Sequence, residues 1–267
     1  MTSDRGVCAV VLAAGLGSRL APLTDTVPKA LCPVGNRPLL DWALGRLAAA
    51  GFAGPDTVAV NVHHHRDAML AELATYTDPP QVSLEAVPLG TAGALGALRD
   101  WIDGRDTLVV NADAFFSPDA AVVRTLLSGW AGERPRLLCA RAEAGERTDF
   151  EDLRYTGACL LPWADVANLE PVPAGLYEVM WRQARAEDRL DLAEFPGIAI
   201  DCGTPGDYLR ANLLTSGGAS VIGADAHVAG TVTQCVVWPG AWVGAHEHLR
   251  KVIRAGTRTA PVTVPAG

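Results

Sequence analysis

The regular alternation of strand and helix patterns over the first 215 residues most constrains the fold of this chain. The strand patterns are Val7–Ala13, Thr57–Val62, Val82–Val87 and Thr107–Asn111. The helix patterns are Pro38–Ala50, Arg66–Thr75, Ala92–Trp101 and Pro118–Leu127, with Ser117 as the expected N-cap of the last. Strand–helix–strand repetition produces right-handed crossovers and a mostly parallel sheet covered on both faces. We therefore predict an α/β domain at residues 1–215, with ligands bound at the carboxyl ends of its strands.

The sequence changes character after Gly217. Residues 221–244 are rich in Gly, Val and Ala, and they show almost no helical periodicity. Ile222 and Val228 are six positions apart, as are Val237 and Val243. This spacing predicts a short, imperfect left-handed β-helix of hexapeptide turns at residues 216–267. An irregular β tail packed on the main domain is the alternative interpretation.

The charge balance limits the classes of partner. The formal net charge is −8, from 22 basic and 30 acidic residues. A general nucleic-acid or anionic-membrane binder would carry a basic surface, so we expect neither kind of partner. A phosphate ligand would have to be held by a few local cations and by backbone amides. Lys29 and Lys251 are the only lysines beside 20 arginines, and the two side-chain types are not equivalent.

The cysteines and the N-terminal segment both favour a cytoplasmic protein. Six cysteines occur, none of them in a CxxC motif, and most lie in apolar runs. This pattern predicts buried, reduced thiols. The apolar run Val7–Ala14 is too short to span a bilayer, and Asp4 and Arg5 precede it. We therefore expect no signal peptide.

A glycine-rich loop, Leu12–Leu20 (LAAGLGSRL), directly follows the first strand pattern. Its small residues would let backbone amides approach a polyphosphate, and Arg19 could grip that polyphosphate bidentately. The loop is neither a Walker A motif nor a dinucleotide fingerprint, because it lacks GK[ST] and has Leu20 where a third glycine is required. The predicted nucleotide-binding residues of this loop are Leu12, Ala13, Ala14, Gly15, Gly17 and Ser18.

The stretch Leu12–Trp42 (LAAGLGSRLAPLTDTVPKALCPVGNRPLLDW) resembles the signature of the sugar-1-phosphate nucleotidyltransferases, or nucleotide-sugar pyrophosphorylases. Later segments that extend the resemblance are Leu89–Leu95 (LGTAGAL), Asn111–Asp113 (NAD), Tyr155–Gly157 (YTG), Ile200–Asn212 (IDCGTPGDYLRAN) and Cys235–Gly244 (CVVWPGAWVG). Mannose-1-phosphate guanylyltransferases and N-acetylmuramate-1-phosphate uridylyltransferases are the most similar groups. The resemblance implies a Rossmann-like three-layer domain, a β-helical ending and the capacity to form homo-oligomers.

The resemblance also implies roles for four charged residues. Arg19 would hold the leaving phosphates of a nucleoside triphosphate, and Lys29 would lie at its α-phosphate. Asp113 and Asp201 follow strand patterns, and we expect them to converge on one Mg²⁺, which prefers hard oxygen ligands. Each aspartate taken alone fits a helix cap or a turn better than a metal site, and the order of the matched motifs reverses that preference. Arg19, Lys29 and Asp113 are thus the predicted catalytic residues.

Base and sugar contacts are implied in the same way. Gly90 and Gly93 would let the backbone lie against the base, and Thr91 would offer a hydroxyl group. A simple helix-entry loop is the alternative for these three residues. Gly157 and Glu178 are the candidate sugar contacts, although the segment around Glu178 equally fits an amphipathic helix with an exposed carboxylate.

The implied reaction joins a sugar-1-phosphate to the α-phosphorus of a nucleoside triphosphate and releases pyrophosphate. The attacking phosphate has a second pKa of about 6 and is largely ionised at neutral pH, so no general base is required. Guanine is favoured as the base because the tail resembles guanylyltransferases. Uridylyl, thymidylyl or cytidylyl transfer to another phosphorylated acceptor remains an alternative, as does a catalytically silent subunit that binds nucleotide-sugars.

One segment departs from the family pattern. Many relatives carry a Glu-Lys-Pro segment whose lysine contacts the sugar phosphate. The corresponding region here contains Arg141, Arg147 and Arg154 but no lysine. An arginine could replace that lysine, or the contact could be missing.

Two further groups are interpreted as structural. His63, His64 and His65 are consecutive, so their side chains point in different directions and rarely reach one metal ion. We predict a polar junction between a strand and a helix at these residues. The tryptophans show no interleaved cations of the kind that accompany base stacking, so we expect them to pack in the interior.

Overall fold

A computed structural model describes residues 6–142, 145–146 and 148–267 of the protein. The strands are β1 (Val7–Leu12), β2 (Pro33–Val34), β3 (Arg37–Pro38), β4 (Val58–Val62), β5 (Gln81–Leu84), β6 (Asp106–Asn111), β7 (Ala114–Ser117), β8 (Arg136–Arg141), β9 (Leu153–Leu161), β10 (Asp191–Glu194), β11 (Ile198–Asp201), β12 (Val221–Ile222), β13 (His227–Val228), β14 (Thr231–Thr233), β15 (Val236–Val237), β16 (Trp242–Val243), β17 (His248–Arg250), β18 (Val252–Gly256) and β19 (Pro261–Pro265). The α-helices are α1 (Leu39–Ala48), α2 (Arg66–Leu73), α3 (Gly90–Ala97), α4 (Arg99–Ile102), α5 (Ala121–Leu127), α6 (Trp163–Val166), α7 (Arg182–Ala186) and α8 (Pro205–Thr215).

The chain forms two compact units. The first comprises residues 6–15 and 43–199, and the second comprises residues 16–42 and 200–267. None of the helices in the described residues has the length and apolar character that a membrane-crossing helix needs. The division into a domain at residues 1–215 and a second at residues 216–267 stays a prediction.

The first unit is built on a seven-stranded sheet with the order β10-β8-β9-β6-β1-β4-β5. Strands β6, β1, β4 and β5 are parallel neighbours, and β10 is parallel to β8. Strand β9 runs antiparallel to both β6 and β8. The prediction of a mostly parallel sheet is therefore confirmed, although the sequence patterns did not identify β8, β9 or β10.

An apolar core packs on this sheet. Its members are fully or almost fully buried, as expected for strands covered on both faces. They include Cys8 and Val10 of β1, Val109 of β6, Leu95 of α3 and Trp181. Consecutive residues of β1 are buried, which explains its continuous apolar run. An exposed edge strand would not need such a run.

Three predicted element boundaries were wrong, each for a local reason. Ser117 ends β7 and does not cap a helix, because α5 begins only at Ala121 and Asp119 accepts a 2.8 Å hydrogen bond from Arg46 Nε. The predicted helix at residues 92–101 is divided into α3 and α4 at Leu98. Strand β5 ends at Leu84, three residues earlier than predicted.

In the second unit, α8 begins with a capped first turn. Thr204 precedes Pro205, and its Oγ1 accepts a hydrogen bond from the backbone N–H of Asp207 at 3.2 Å. Tyr208 of α8 donates its hydroxyl to the carbonyl of Pro33, and it accepts a 3.1 Å hydrogen bond from Trp238 Nε1. These contacts fix the C-terminal tail against the helix that follows Asp201.

The C-terminal tail forms short parallel ladders between successive coils. Ile222 pairs with Val237 and Val228 pairs with Val243, so each member of the first six-spaced pair lies beside the corresponding member of the second pair in the next coil. The ladder continues from β15 to β18, and β18 pairs antiparallel with β19. The handedness of the coil stays a prediction.

All six cysteines are fully buried and remain as thiols, which confirms the prediction made from their apolar surroundings. Burial raises the pKa of Cys8 to about 11 and the pKa of Cys32 to about 12. The thiolate is the reactive form, so these two thiols stay protonated at neutral pH. We expect iodoacetamide at pH 8 to modify less than about one thiol per native chain and all six after unfolding, as counted by mass spectrometry. Rapid modification of several thiols in the folded protein would contradict this burial.

Candidate functional site

Three charged residues singled out by the sequence meet in the second unit. Asp201 Oδ2 lies 3.2 Å from Arg19 Nη2, and Asp201 Oδ1 lies 3.4 Å from Lys29 Nζ. Lys29 is only 7% exposed, so it is not a solvated surface cation. We call Arg19, Lys29 and Asp201 the charged cluster.

Tight turns of the backbone bring the charged cluster together. Arg19 and Lys29 each lie in a single 3-10 turn, and Asp201 is the last residue of β11. Gly17 has a φ of 67°, and a Cβ atom there would lie 3.0 Å from Lys29 Cβ. A Cβ at Gly203 would lie 2.4 Å from Arg19 Nη2. Both glycines therefore provide space that a larger residue would take from the two cations.

The charged cluster is suited to an anionic ligand. It places two cations beside one carboxylate in a chain whose formal net charge is −8. The Arg19 and Asp201 side chains are 64% and 58% exposed, so a ligand can reach them from solvent. A local excess of positive charge attracts phosphate, and a guanidinium can bind it bidentately. The cluster can thus hold a polyphosphate, whose oxygens would join Asp201 as partners of the two cations.

A buried polar network in the first unit was missed by the sequence analysis. Asn61 Oδ1 accepts a 2.7 Å hydrogen bond from the backbone N–H of Ala13, and Asn61 Nδ2 donates to Glu85 Oε1 at 2.7 Å. Glu85 Oε2 accepts a 3.0 Å hydrogen bond from the backbone N–H of Leu89. Asn61 and Glu85 are 3% and 7% exposed. The network joins the loop after β1 to Leu89, directly before α3. The available signal was a polar residue inside each apolar strand pattern.

Removing the centre of this network should destabilise the protein. Asn61→Ala leaves the Glu85 carboxylate and the Ala13 N–H without these partners, which costs about 1–3 kcal/mol in the free energy of unfolding. Urea denaturation followed by circular dichroism measures this loss. The matched control is Asn168→Ala, since Asn168 is exposed and its amide makes a long, 3.3 Å bond to Ala164 O. Equal midpoints for the two variants would contradict a structural role for Asn61.

The predicted base-binding residues are tied to residues 172–176 in the first unit. Gly90 has a φ of 70°, and a Cβ at Gly93 would lie 2.2 Å from the carbonyl oxygen of Val172. Thr91 Oγ1 accepts a 2.8 Å hydrogen bond from the backbone N–H of Leu176. Gly90 and Gly93 are therefore required by the close approach of their backbone to residues 172–174, whether or not a nucleotide binds. Their contact with a base stays a prediction.

Asp113 and the predicted sugar contact Gly157 lie in adjoining segments. Asp113 occupies the turn between β6 and β7, and Gly157 lies on β9 with a φ of 89°. A Cβ at Gly157 would contact the Cβ atoms of Ala114 and Asn111 at 3.1 and 3.2 Å. Burial raises the pKa of Tyr155 well above its ordinary value, and the charge of Asp113 adds to this increase. Asp113 is thus close enough to Tyr155 to influence it electrostatically.

The arginines that could replace the missing lysine are largely engaged with carboxylates. Arg141 Nε donates to Glu194 Oε1 at 2.8 Å, and this pairing raises the pKa of the guanidinium. Arg154 Nε donates to Glu146 Oε2 at 3.1 Å. Arg147 lies outside the described residues. Replacement of the lysine by an arginine and loss of the contact both stay open as alternatives.

The three consecutive histidines form the predicted junction. They follow β4 and precede α2, which begins at Arg66. His63 Nδ1 makes a 2.9 Å hydrogen bond with the carbonyl of Glu85. In the part of the chain that the structure describes, no three His, Cys, Asp or Glu side chains gather as metal ligands.

Comparison with known proteins shows the family of the chain. Residues 8–127 match the family model described as nucleotidyl transferase. A mannose-1-phosphate guanyltransferase of Aspergillus fumigatus is 40% identical over 112 residues, which are 39% of this chain and 30% of that protein. The chain thus matches about a third of the length of that relative.

Two other similarities cover most of the chain. An N-acetylmuramate alpha-1-phosphate uridylyltransferase of Caulobacter vibrioides is 32% identical over 231 residues, which are 76% of this chain and 94% of that protein. A solved structure from Thermus thermophilus, described as a mannose-1-phosphate geranyltransferase, has a TM-score of 0.72 at 19% identity and covers 97% of this chain and 95% of its own. The second similarity establishes the fold alone. The chain therefore belongs to the sugar-1-phosphate nucleotidyltransferases of the nucleotidyl transferase family.

Proposed function

We propose that the chain transfers a nucleotidyl group from a nucleoside triphosphate to a sugar-1-phosphate, giving a nucleotide-sugar and pyrophosphate. The preferred assignment is guanylyl transfer to mannose-1-phosphate or to a related sugar or cyclitol phosphate. The guanyltransferase of Aspergillus fumigatus supports guanine, and the uridylyltransferase of Caulobacter vibrioides supports uracil as the alternative base.

The observation that carries this proposal is the charged cluster. Lys29 is buried beside Asp201, and Arg19 reaches the same carboxylate from a more exposed position. In the proposed reaction Lys29 stabilises charge at the α-phosphate, and Arg19 holds the leaving β- and γ-phosphates. Preorganised charges of this kind are the main source of rate in phosphoryl-type transfers.

The proposed chemistry needs no proton abstraction. The attacking oxygen belongs to a phosphate whose second pKa is about 6, so it is already ionised at neutral pH. The protein must align two anions and neutralise the charge that they bring together. Gly157, in contact with the segment that carries Asp113, would place the sugar close to that segment.

In the proposed reaction a Mg²⁺ ion would be held by Asp113 and Asp201, as the resemblance implies. Carboxylate oxygens are hard ligands, and Mg²⁺ in nucleotide sites usually has one or two carboxylates, with phosphates and waters completing its coordination. The Asp201 side chain is 58% exposed, so its oxygens are accessible to an ion from solvent. When bound, the ion would supply charge neutralisation between the two phosphates. The contacts with Lys29 and Arg19 would fix the orientation of the Asp201 carboxylate.

The proposal extends to the organisation of the chain. Residues 1–215 would form the catalytic domain, and residues 216–267 would form a left-handed β-helical ending that can mediate homo-oligomers. Parallel pairing of Val221 with Val236 and of Val236 with Ile253 supports successive coils in this ending. The six buried thiols support a cytoplasmic location.

A substrate screen tests the proposed function. Purified protein is incubated with Mg²⁺, one of five nucleoside triphosphates and one of several sugar-1-phosphates, and pyrophosphate release is measured. We expect release that requires both substrates, with the highest rate for GTP and mannose-1-phosphate or a close analogue. Binding of nucleotide-sugars without pyrophosphate release in any combination would instead favour the silent-subunit alternative.

A further inference from the structure

The hydroxyl group of Tyr208 joins three segments of the second unit. Tyr208 lies on α8 and is fully buried. Its hydroxyl donates a hydrogen bond to the carbonyl oxygen of Pro33, and it accepts one of 3.1 Å from Nε1 of Trp238 in the C-terminal tail. Burial raises the pKa of Tyr208 well above its ordinary value, so the hydroxyl keeps the proton that it donates. We call Trp238, Tyr208 and the Pro33 carbonyl the hydrogen-bond relay.

One end of the hydrogen-bond relay lies beside the turn that carries Lys29. This 3-10 turn spans Lys29–Leu31, and the backbone N–H of Cys32 closes it by donating to the Lys29 carbonyl at 3.0 Å. Pro33 is the next residue, and it opens β2. Cys32 is fully buried, so the short segment between Lys29 and Pro33 has little room to adjust. A shift of the Pro33 carbonyl is therefore passed on to the backbone of Lys29.

The middle of the hydrogen-bond relay lies on the helix that follows Asp201. Asp201 ends β11, and α8 begins four residues later. The same helix holds the β2–β3 hairpin at a second point, because Asn212 Oδ1 accepts a 3.0 Å hydrogen bond from the backbone N–H of Gly35. Asn212 Nδ2 in turn donates to the carbonyl of Tyr208 at 3.0 Å. The spacing between α8 and the segment after Lys29 thus sets the 3.4 Å distance between Lys29 Nζ and Asp201 Oδ1.

The other end of the hydrogen-bond relay is fixed within the tail. The backbone N–H of Trp238 donates to the carbonyl of Arg254 at 2.8 Å, which ties it to β18. Arg254 is 4% exposed and pairs with Glu247. The tail also contacts the hairpin directly, since Asn36 Nδ2 donates to the carbonyl of Ile222 at 2.9 Å. An apolar contact would join the tail to α8 without fixing a direction, whereas hydrogen bonds prefer a defined distance and angle.

We propose that the C-terminal tail holds the charged cluster in its active geometry, with Trp238 as a positioning residue that acts through Tyr208 on the turn of Lys29. The inference rests on the proposed function, because it takes Lys29 to stabilise charge at the α-phosphate. The indole N–H occupies an acceptor site of the Tyr208 hydroxyl, which leaves the hydroxyl proton directed at Pro33. Removing the indole donor lets the hydroxyl rotate and loosens its hold on the Lys29 turn.

Steady-state kinetics of pyrophosphate release test the positioning role. Trp238→Phe keeps an aromatic ring and removes the donor, and Tyr208→Phe removes the hydroxyl. A displacement of about 1 Å can cost about 100-fold in rate, so we expect about fivefold loss of kcat for Trp238→Phe and at least about tenfold for Tyr208→Phe. KM for the nucleoside triphosphate should change by less than about twofold, since a displaced charge at the α-phosphate mainly affects the transition state. The double variant should be no slower than Tyr208→Phe, which already breaks both hydrogen bonds.

A second tryptophan supplies a matched control. Trp130 and Trp238 are each 8% exposed, and Trp130 Nε1 donates to the carbonyl of Arg134 at 2.8 Å. Trp130→Phe therefore removes an equivalent buried hydrogen bond, but in the first unit. It should lower the melting temperature about as much as Trp238→Phe does and leave kcat unchanged. Equal losses of kcat in the two variants would assign the effect to stability and overturn the positioning role.

The two lysines give a readout that does not depend on catalysis. Lys29 is 7% exposed and Lys251 is exposed, and they are the only lysines of the chain. Limited acetylation with an N-hydroxysuccinimide ester is followed by mass spectrometry of the peptides that contain them. We expect the ratio of Lys29 to Lys251 acetylation to rise severalfold in Trp238→Phe and Tyr208→Phe, because local opening of the turn exposes Lys29. Trp130→Phe should keep the ratio of the unaltered protein.

The outcomes separate this inference from the proposed function. Normal kcat in Trp238→Phe and Tyr208→Phe would overturn the positioning role and leave the nucleotidyltransferase assignment intact. Reduced kcat without a raised acetylation ratio would overturn the action through Lys29. No pyrophosphate release by the unaltered protein with any substrate pair would overturn the assignment, and the acetylation ratio would then decide alone whether the tail holds the Lys29 turn. If Tyr208→Phe does not fold, Trp238→Phe completes the test, because it keeps the buried tyrosine.

Discussion

Lys29→Met is expected to reduce turnover by at least about 100-fold while the protein remains folded. Lys29 is 7% exposed and lies 3.4 Å from Asp201, so its charge is fixed before substrate arrives. Loss of one preorganised charge-stabilising group costs roughly 10²–10³ in kcat. Methionine retains most of the side-chain volume, which limits the effect on packing. Steady-state pyrophosphate release measures the change in kcat, and circular dichroism verifies the fold.

The other lysine of the chain supplies the control. Lys251 is exposed and belongs to the same compact unit as Lys29. Lys251→Met should therefore retain nearly the full rate. A folded Lys29→Met enzyme with a rate close to that of Lys251→Met would contradict the assigned role of Lys29.

The second large effect is expected for the two aspartates. Asp113→Asn and Asp201→Asn should each reduce turnover by at least about 100-fold and raise the Mg²⁺ concentration needed for half-maximal rate, since each removes one charged ligand. If both carboxylates hold the same ion, the double variant should be little worse than either single variant, because residues that act as a unit have non-additive effects. Initial rates over a range of Mg²⁺ concentrations measure both quantities.

An exposed aspartate controls for the loss of charge. The Asp100 side chain is 98% exposed, so Asp100→Asn should change neither the rate nor the Mg²⁺ dependence. Thermal unfolding is needed for Asp201→Asn in particular, because this change removes the ionised partner of the buried Lys29. Strictly multiplicative losses in the double variant would contradict a shared ion.

The sequence was sufficient to predict the parallel part of the sheet. Buried parallel strands are continuous apolar runs, and β1, β4 and β6 have such runs. Strands β8 and β9 were missed because arginines, a tyrosine and a glycine interrupt their apolar patterns. Strand β5 ends just before Glu85, whose carboxylate accepts a hydrogen bond from Asn61 across 24 positions of the chain. Local patterns do not contain such long-range hydrogen bonds.

The candidate site was predicted in part. The PKAL segment and the IDCG segment were identified separately, and the structure brings Lys29 and Asp201 together across 172 positions. The buried position of Lys29 could not be derived from the sequence, since it depends on tertiary contacts such as that with Gly17.

The shared divalent ion is the central claim, and anomalous scattering tests it most directly. Crystals grown with Mn²⁺ and a non-hydrolysable nucleoside triphosphate would be measured at an energy where manganese scatters anomalously. We predict one strong peak, within bonding distance of carboxylate oxygens from both Asp113 and Asp201 and in contact with a phosphate oxygen. A peak bonded to neither carboxylate, or to one of them with the other far from the ion, would contradict the account.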